Sequence, residues 1–211
     1  MNKVLVVATH PDDETLGCGG TLLKHKESGD EIYWLLCTKP QSSNLDRILE
    51  INKVSQLYQF KDVFTLDLMA TLVDQTSTKS LVDKISEVFN IVKPNIVYLP
   101  FKDDIHSDHR AIFEAAFSCT KKFRYPFLEK VYMMETISET EFSISGFFPN
   151  VFVDISDFIE KKKEIMEIYS SEISEHPFPR SLKNIEALAV IRGATAGCNF
   201  AESFVLLKEI R

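Results

Sequence analysis

The sequence predicts an α/β fold in which helices flank a mainly parallel sheet. Three observations lead there. Short, continuous apolar runs of the kind carried by strands covered on both faces alternate with stretches whose apolar residues recur at helical spacing. The links between them are short, which calls for right-handed crossovers. Glycines, prolines and polar residues punctuate the ends.

In order, Val4 to Ala8 reads as a buried strand. Leu16 to Ser28 reads as a helix stopped by Gly29, and Ile32 to Cys37 as a second buried strand. Leu45, Ile48, Leu49, Ile51, Val54 and Leu57 place a helix over Leu45 to Phe60. Val63 to Leu68 is a third strand. Ser80 to Val92 is a helix closed by Pro94, and Ile96 to Leu99 a fourth strand closed by Pro100. A helix over Ser107 to Cys119 and a fifth strand over Val131 to Met134 follow. The second half is less regular. Val151, Val153 and Ile155 alternate as in a strand, Ile159 to Tyr169 and Leu182 to Ile191 read as helices, and Phe204 to Leu207 is a last strand or a helix end. Two prolines make Glu175 to Pro179 a loop. With no linker and no internal repeat, residues 1–211 are expected to form one Rossmann-like domain.

An apolar fraction of 45% and a charged fraction of 26% are ordinary for a globular chain with a sizeable core. A net charge of -7 argues against a nucleic-acid partner, which needs a basic stripe to neutralise phosphates. Lys161-Lys162-Lys163 reads as a solvated helix face, and His25 as an exposed helix residue. Cys18, Cys37, Cys119 and Cys198 form no C-x-x-C pair and read as buried free thiols of a reducing compartment. The N-terminal apolar run is too short for a signal-peptide core. No stretch approaches the roughly 20 apolar residues of a membrane span. A cytoplasmic protein is expected. Gly17, Gly19 and Gly20 are spaced G-x-G-G after the first strand and do not make a dinucleotide fingerprint.

Two clusters carry the chemistry. His10-Pro11-Asp12-Asp13-Glu14 follows the first strand, and Asp103-Asp104-Ile105-His106-Ser107-Asp108-His109-Arg110 follows the fourth. Ligand sites in open parallel sheets lie at the carboxyl ends of strands where the strand order reverses. In an order 3-2-1-4-5, strands one and four are neighbours, so both clusters converge on one cleft. Taken alone, the first cluster could be a strand end followed by a helix cap at Asp12 or Asp13. Three adjacent acids repel one another, however, and a cation relieves that. Two histidines and one carboxylate around an open position is the catalytic arrangement for zinc, and it also suits iron(II) and manganese(II). A nearby carboxylate can take a proton from water, and a nearby histidine can stabilise an oxyanion or protonate a leaving amine. Those are the parts of an amide or ester hydrolase. Spacing alone does not choose between His106 and His109 as ligand.

At these residues the sequence resembles the PIG-L/LmbE-like family of zinc-dependent N-acetylglucosaminyl deacetylases. The resemblance rests on A-x-H-P-D-D-E at Ala8 to Glu14 with Gly17 to Gly20, and on His106-x-Asp108-His109-Arg110. It extends to Arg192-Gly193, Gly197 and Ala201-Glu202-Ser203-Phe204. It implies an LmbE-like fold and a divalent metal, usually Zn2+, on His10, Asp13 and His109. It implies Asp12 as general base, and His106 as oxyanion stabiliser or acid with Asp108 supporting it. The implied substrate is an N-acetylated amino sugar, free or within a glycan or nucleotide-sugar, and relatives often form homo-oligomers. Arg47, Glu135 and Arg180 are candidate substrate contacts. Arg47 also suits an i, i+3 salt bridge to Glu50, and Arg192 and Glu202 suit a structural pair. Thr38 to Asn44 lacks the Gly-rich acidic run common in relatives, so substrate preference can differ. Two other readings stay open: the same site hydrolysing another amide or ester, and a sugar-binding protein without catalysis.

Overall fold

A computed structural model describes residues 1–40 and 44–211. Its strands are β1 (Lys3–Ala8), β2 (Glu31–Thr38), β3 (Asp62–Leu68), β4 (Ile96–Leu99), β5 (Lys130–Met134), β6 (Val151–Asp154) and β7 (Ala201–Glu209). The helices are α1 (Asp13–Glu27), α2 (Leu45–Tyr58), α3 (Thr78–Val92), α4 (Ser107–Ser118), α5 (Ile159–Met166) and α6 (Leu182–Ala196). The strands form one sheet in the order β3-β2-β1-β4-β5-β7-β6. The first five pair in parallel, as expected. β7 runs antiparallel to both β5 and β6, which settles the last apolar run as a strand.

The fully buried strands divide their side chains by period two. Leu5 and Val7 of β1 pack with Ile85 and Phe89 of α3 and Ile112 and Ala116 of α4. Val4, Val6 and Ala8 point the other way, toward Leu16 and Leu22 of α1, Tyr58 of α2 and Tyr169. The sheet is therefore sandwiched between two helical layers, and its C-terminal edge is left for loops. Among the described residues no helix is long and apolar enough to cross a membrane.

Some boundaries differ from the expectation. α1 begins at Asp13 rather than Leu16, since Asp13 and Glu14 in its first turn favour the positive end of the helix dipole. α5 stops at Met166, before Tyr169, and α6 runs on to Ala196, where Gly197 closes it at φ 76. The spaced glycines of α1 serve close packing. A Cβ on Gly20 would lie 2.7 Å from Cγ2 of Ile155, and one on Gly17 would lie 2.6 Å from Sδ of Met134.

Four surface readings are corrected. Lys162 is buried, not solvated: its Nζ donates to Glu202 Oε1 at 2.7 Å and to the Leu16 carbonyl at 2.9 Å. Glu202 is thereby tied to Lys162 rather than to Arg192. Arg192 instead clasps Glu135 through Nε at 2.9 Å and Nη2 at 2.5 Å. His25 is half-buried, with Nδ1 2.8 Å from Asp30 Oδ2 and Nε2 3.0 Å from the Tyr98 hydroxyl. Cys18, Cys37 and Cys119 are buried free thiols, but Cys198 is half-exposed.

Candidate metal centre and cleft

β1 and β4 lie side by side, and α1 and α3 cross over on opposite faces of the sheet. The carboxyl ends of these two strands therefore form the switch point. Pro11 ends the first strand run, and the chain folds back at once: Asp13 Oδ2 accepts the His10 N–H at 2.8 Å. That turn is why residues three apart present their donors together. The second cluster arrives on α4, where His106 is the N-cap and its Nδ1 accepts the Asp108 N–H at 3.1 Å. One turn on, His109 is fully buried.

Three donor atoms meet here. His109 Nε2 is 3.2 Å from Asp13 Oδ2 and 3.3 Å from His10 Nδ1, and His10 Nδ1 is 3.8 Å from Asp13 Oδ2. These are the edges of a face on which one small cation touches all three. Each histidine has its other nitrogen on a carboxylate. His109 Nδ1 lies 2.8 Å from Asp104 Oδ2, and His10 Nε2 lies 3.2 Å from Asp108 Oδ2. Metal-binding imidazoles are held this way, with the carboxylate setting ring orientation and basicity. His10, His106 and Asp108 also approach one another closely enough to share an ion. Asp108, however, is already occupied, accepting N–H groups from Thr71 at 2.6 Å and Val73 at 3.0 Å as well as facing His10. The donors of His10, Asp13 and His109 fit a divalent metal better.

The electrostatics call for positive charge at this point. Burial would raise the Asp13 carboxyl, but the charge and hydrogen bond of His109, with help from His10, hold it below its ordinary range. Burial would lower His109, but Asp13 and Asp104 together drive it well above its ordinary value. An imidazole wedged between two carboxylates marks a place where a cation is at home.

Asp12 stands beside these donors. It is buried, and its carboxylate caps no amide of α1, contrary to the simple capping reading. Its backbone sits at φ 131 and ψ -26, a conformation that costs a non-glycine residue of order 1–3 kcal/mol. Burial, then the charge of Asp13, pushes its carboxyl well above the usual range, with Arg180 pulling it back. Glu14 is also completely buried, and burial pushes it up to about 7 against hydrogen bonds from Thr15 and Tyr169. His106 lies beside the donors, its ring tilted against that of His10 at a centroid distance of 4.6 Å. Burial and the neighbouring His10 and His109 lower its pKa.

A cleft of about 300 Å³ opens over this centre, and Asp12, His106, Arg47, Arg180, Glu139 and Glu172 are among the residues that line it. Arg180 Nη1 is 3.8 Å from Asp12 Oδ2, and Arg180 Nη2 is 3.1 Å from Glu172 Oε2. Arg47 makes the expected bridge to Glu50 at 3.2 Å and also reaches Glu172. Thr38, Lys39, Pro40 and Asn44 also line the cleft, and residues 41–43 of the stretch Thr38 to Asn44 lie outside the described residues.

Two candidates are placed otherwise than expected. Glu135 is absent from this cleft, its carboxylate held by Arg192 and by the Ser203 hydroxyl at 2.9 Å. The Asp108 carboxylate supports His10 and not His106, because the helix start turns it toward the amides of Thr71 and Val73. Two residues were given no role by the sequence. Asp104 orients His109 and is itself fixed by the Thr140 hydroxyl at 2.6 Å. Glu139 lies at the cleft, raised by burial. Only the acid five residues before His109 left a sequence signal.

Comparison with known proteins places the chain in a family. The chain is 25% identical over 220 residues to diacetylchitobiose deacetylase of Thermococcus kodakarensis, spanning 96% of this chain and 82% of that protein. The fold is that of the conserved protein TT1542 from Thermus thermophilus, with a TM-score of 0.83, 24% identity and coverage of 100% and 97% of the two chains. It is also that of N,N'-diacetylchitobiose deacetylase from Pyrococcus horikoshii, with a TM-score of 0.79, 21% identity and coverage of 98% and 84%. The GlcNAc-PI de-N-acetylase (PIG-L) family profile matches residues 5–120. That span runs from β1 to just past the end of α4 and encloses both clusters, and the chain belongs to the PIG-L family.

Proposed function

We propose that this protein is a zinc-dependent N-deacetylase, removing the acetyl group from an N-acetylated amino sugar or its conjugate to give acetate and a free amine. The observation that carries the reading is the set of three donor atoms, 3.2 to 3.8 Å apart, with the Asp12 carboxylate, which caps no amide of α1, next to them in a de-N-acetylase family chain. The relatives named as diacetylchitobiose deacetylases support a sugar acetamide as the substrate class. We read residues 1–211 as one LmbE-like unit built around this site.

His10, Asp13 and His109 would hold the metal, two imidazoles and a carboxylate with room for further ligands being a catalytic zinc set. Fe2+ and Mn2+ suit the same donors. Bound there, a divalent cation supplies a Lewis acid that acidifies water and polarises the acyl carbonyl. Asp12 accepts the proton of the attacking water. His106, at the cleft wall, donates to the oxyanion or to the departing amine. Asp108 keeps His10 in the orientation that presents Nδ1. Arg47 and Arg180 position the sugar or its anionic substituent at the mouth.

The test measures bound metal and amine release from N-acetylglucosamine and N,N'-diacetylchitobiose. Asp12→Asn should keep the metal and lose about 10²-fold or more in kcat. Full activity in that variant removes the base assignment. A metal-free wild type with no acetate release from any acetamido sugar removes the deacetylase reading.

A further inference from the structure

The unfavourable backbone of Asp12 has to be held by its surroundings. Asp12 sits at φ 131, which few non-glycine residues adopt. Its carbonyl is used twice, accepting from Thr15 N at 2.9 Å and Leu16 N at 2.8 Å as α1 begins. Its N–H points instead to a side chain, donating to Glu14 Oε2 at 3.1 Å. The other oxygen of Glu14 accepts from the Thr15 hydroxyl at 2.7 Å and the Tyr169 hydroxyl at 2.8 Å. Tyr58, the last residue of α2, donates its hydroxyl to Thr15 Oγ1 at 3.1 Å. Glu14, Thr15, Tyr58 and Tyr169 are all completely buried. Gly19 leaves room for the cluster, since a Cβ there would stand 2.5 Å from the Tyr58 hydroxyl.

A glutamate buried without a cation is expensive unless its oxygens are filled with donors. Here they are filled, and one of the donors is the backbone N–H of the strained aspartate. The ends of two helices and the turn after α5 converge on Glu14, which is more than capping requires. We propose that Glu14 and Tyr169 form a positioning unit that locks the Asp12 backbone so that its carboxylate stands free beside the donor face. Tyr169 also links this unit to the cleft, because the Arg47 guanidinium lies 5.5 Å over its ring. The inference rests on the reading of Asp12 as base.

The experiment compares Asp12→Asn, Glu14→Ala, Glu14→Gln and Tyr169→Phe, each with metal content, thermal midpoint and hydrogen exchange at the Asp12 amide. Kinetics use whichever of N-acetylglucosamine and N,N'-diacetylchitobiose the wild type turns over faster. Glu14→Ala should lower kcat about 100-fold and Tyr169→Phe about 10-fold, with KM within about threefold and metal stoichiometry unchanged. Glu14→Gln, whose carbonyl still accepts the Asp12 N–H, should recover most of the kcat lost in Glu14→Ala. Exchange at the Asp12 amide should speed up at least about tenfold in Tyr169→Phe. If Glu14→Ala does not fold, Tyr169→Phe, which loses one hydroxyl and keeps the ring under Arg47, decides alone. Wild-type kcat and wild-type Asp12 exchange in folded, metal-loaded Tyr169→Phe overturn the positioning role. An inactive Asp12→Asn beside that result leaves the base reading standing, whereas an active Asp12→Asn overturns the base reading itself.

Discussion

Asp104 is not among the residues lining the cleft, yet it sets the ring of His109 from 2.8 Å away and is buried completely. Burial raises its carboxyl, and the partners His109 and Thr140 oppose that. Such a carboxylate behind a metal-binding imidazole raises ligand basicity and restricts its orientation. Asp104→Asn should therefore weaken zinc binding about 10- to 100-fold, measured by chelator competition, without unfolding the chain. Unchanged zinc affinity would show that His109 is oriented by packing alone. His10, Asp12, Asp13, His106 and His109 were legible in the sequence because local turns hold each cluster together. The roles of Asp104 and Asp108 were less so, since the direction of a carboxylate depends on which amides and hydroxyls from other segments meet it.

At the scale of elements, the Lys162–Glu202 pair fastens α5 and α1 to β7. Glu202 also accepts the Gly20 N–H at 2.8 Å, the Thr21 N–H at 2.7 Å and the Thr21 hydroxyl at 2.6 Å. Both side chains are 5% exposed, so neither charge has water to fall back on. Lys162→Met should cost about 3–5 kcal/mol in urea unfolding, because it strands a buried carboxylate. Lys162→Met with Glu202→Gln should cost less than Lys162→Met alone. Equal losses would mean that the amides of α1 satisfy Glu202 without help. The helix pattern around Lys161 was readable, but which lysine of the three turns inward was not. Helical periodicity places a residue on a face; the partner 40 residues away in sequence decides whether that face can hide a charge.

For the whole molecule, the order β3-β2-β1-β4-β5 sets two clusters about a hundred residues apart in sequence at one point. The like charges gathered there oppose folding until a cation joins them, so metal binding and stability are coupled. Zinc at 100 times its dissociation constant should stabilise the EDTA-stripped protein by about 2.7 kcal/mol. For a chain of this length that is a rise in Tm of roughly 5–10 °C by calorimetry. No shift on adding zinc, manganese or iron(II) would count against a metal at His10, Asp13 and His109.

By itself, the sequence determined the alternation of strands and helices, the parallel sheet, and the presence of two histidine–carboxylate clusters at strand ends. All of these follow from local periodicity and from the handedness of crossovers, which short stretches of chain encode. The tertiary structure alone decided that β7 turns back between β5 and β6. It decided that Lys162 and Glu202 share one buried pair, and that Glu135 belongs to Arg192 and not to the cleft. It also decided that Asp12 holds a strained backbone on the carboxylate of Glu14. The reason is the same in each case. A buried polar group must find its partner wherever the fold supplies one, and that partner comes from the packing of distant segments.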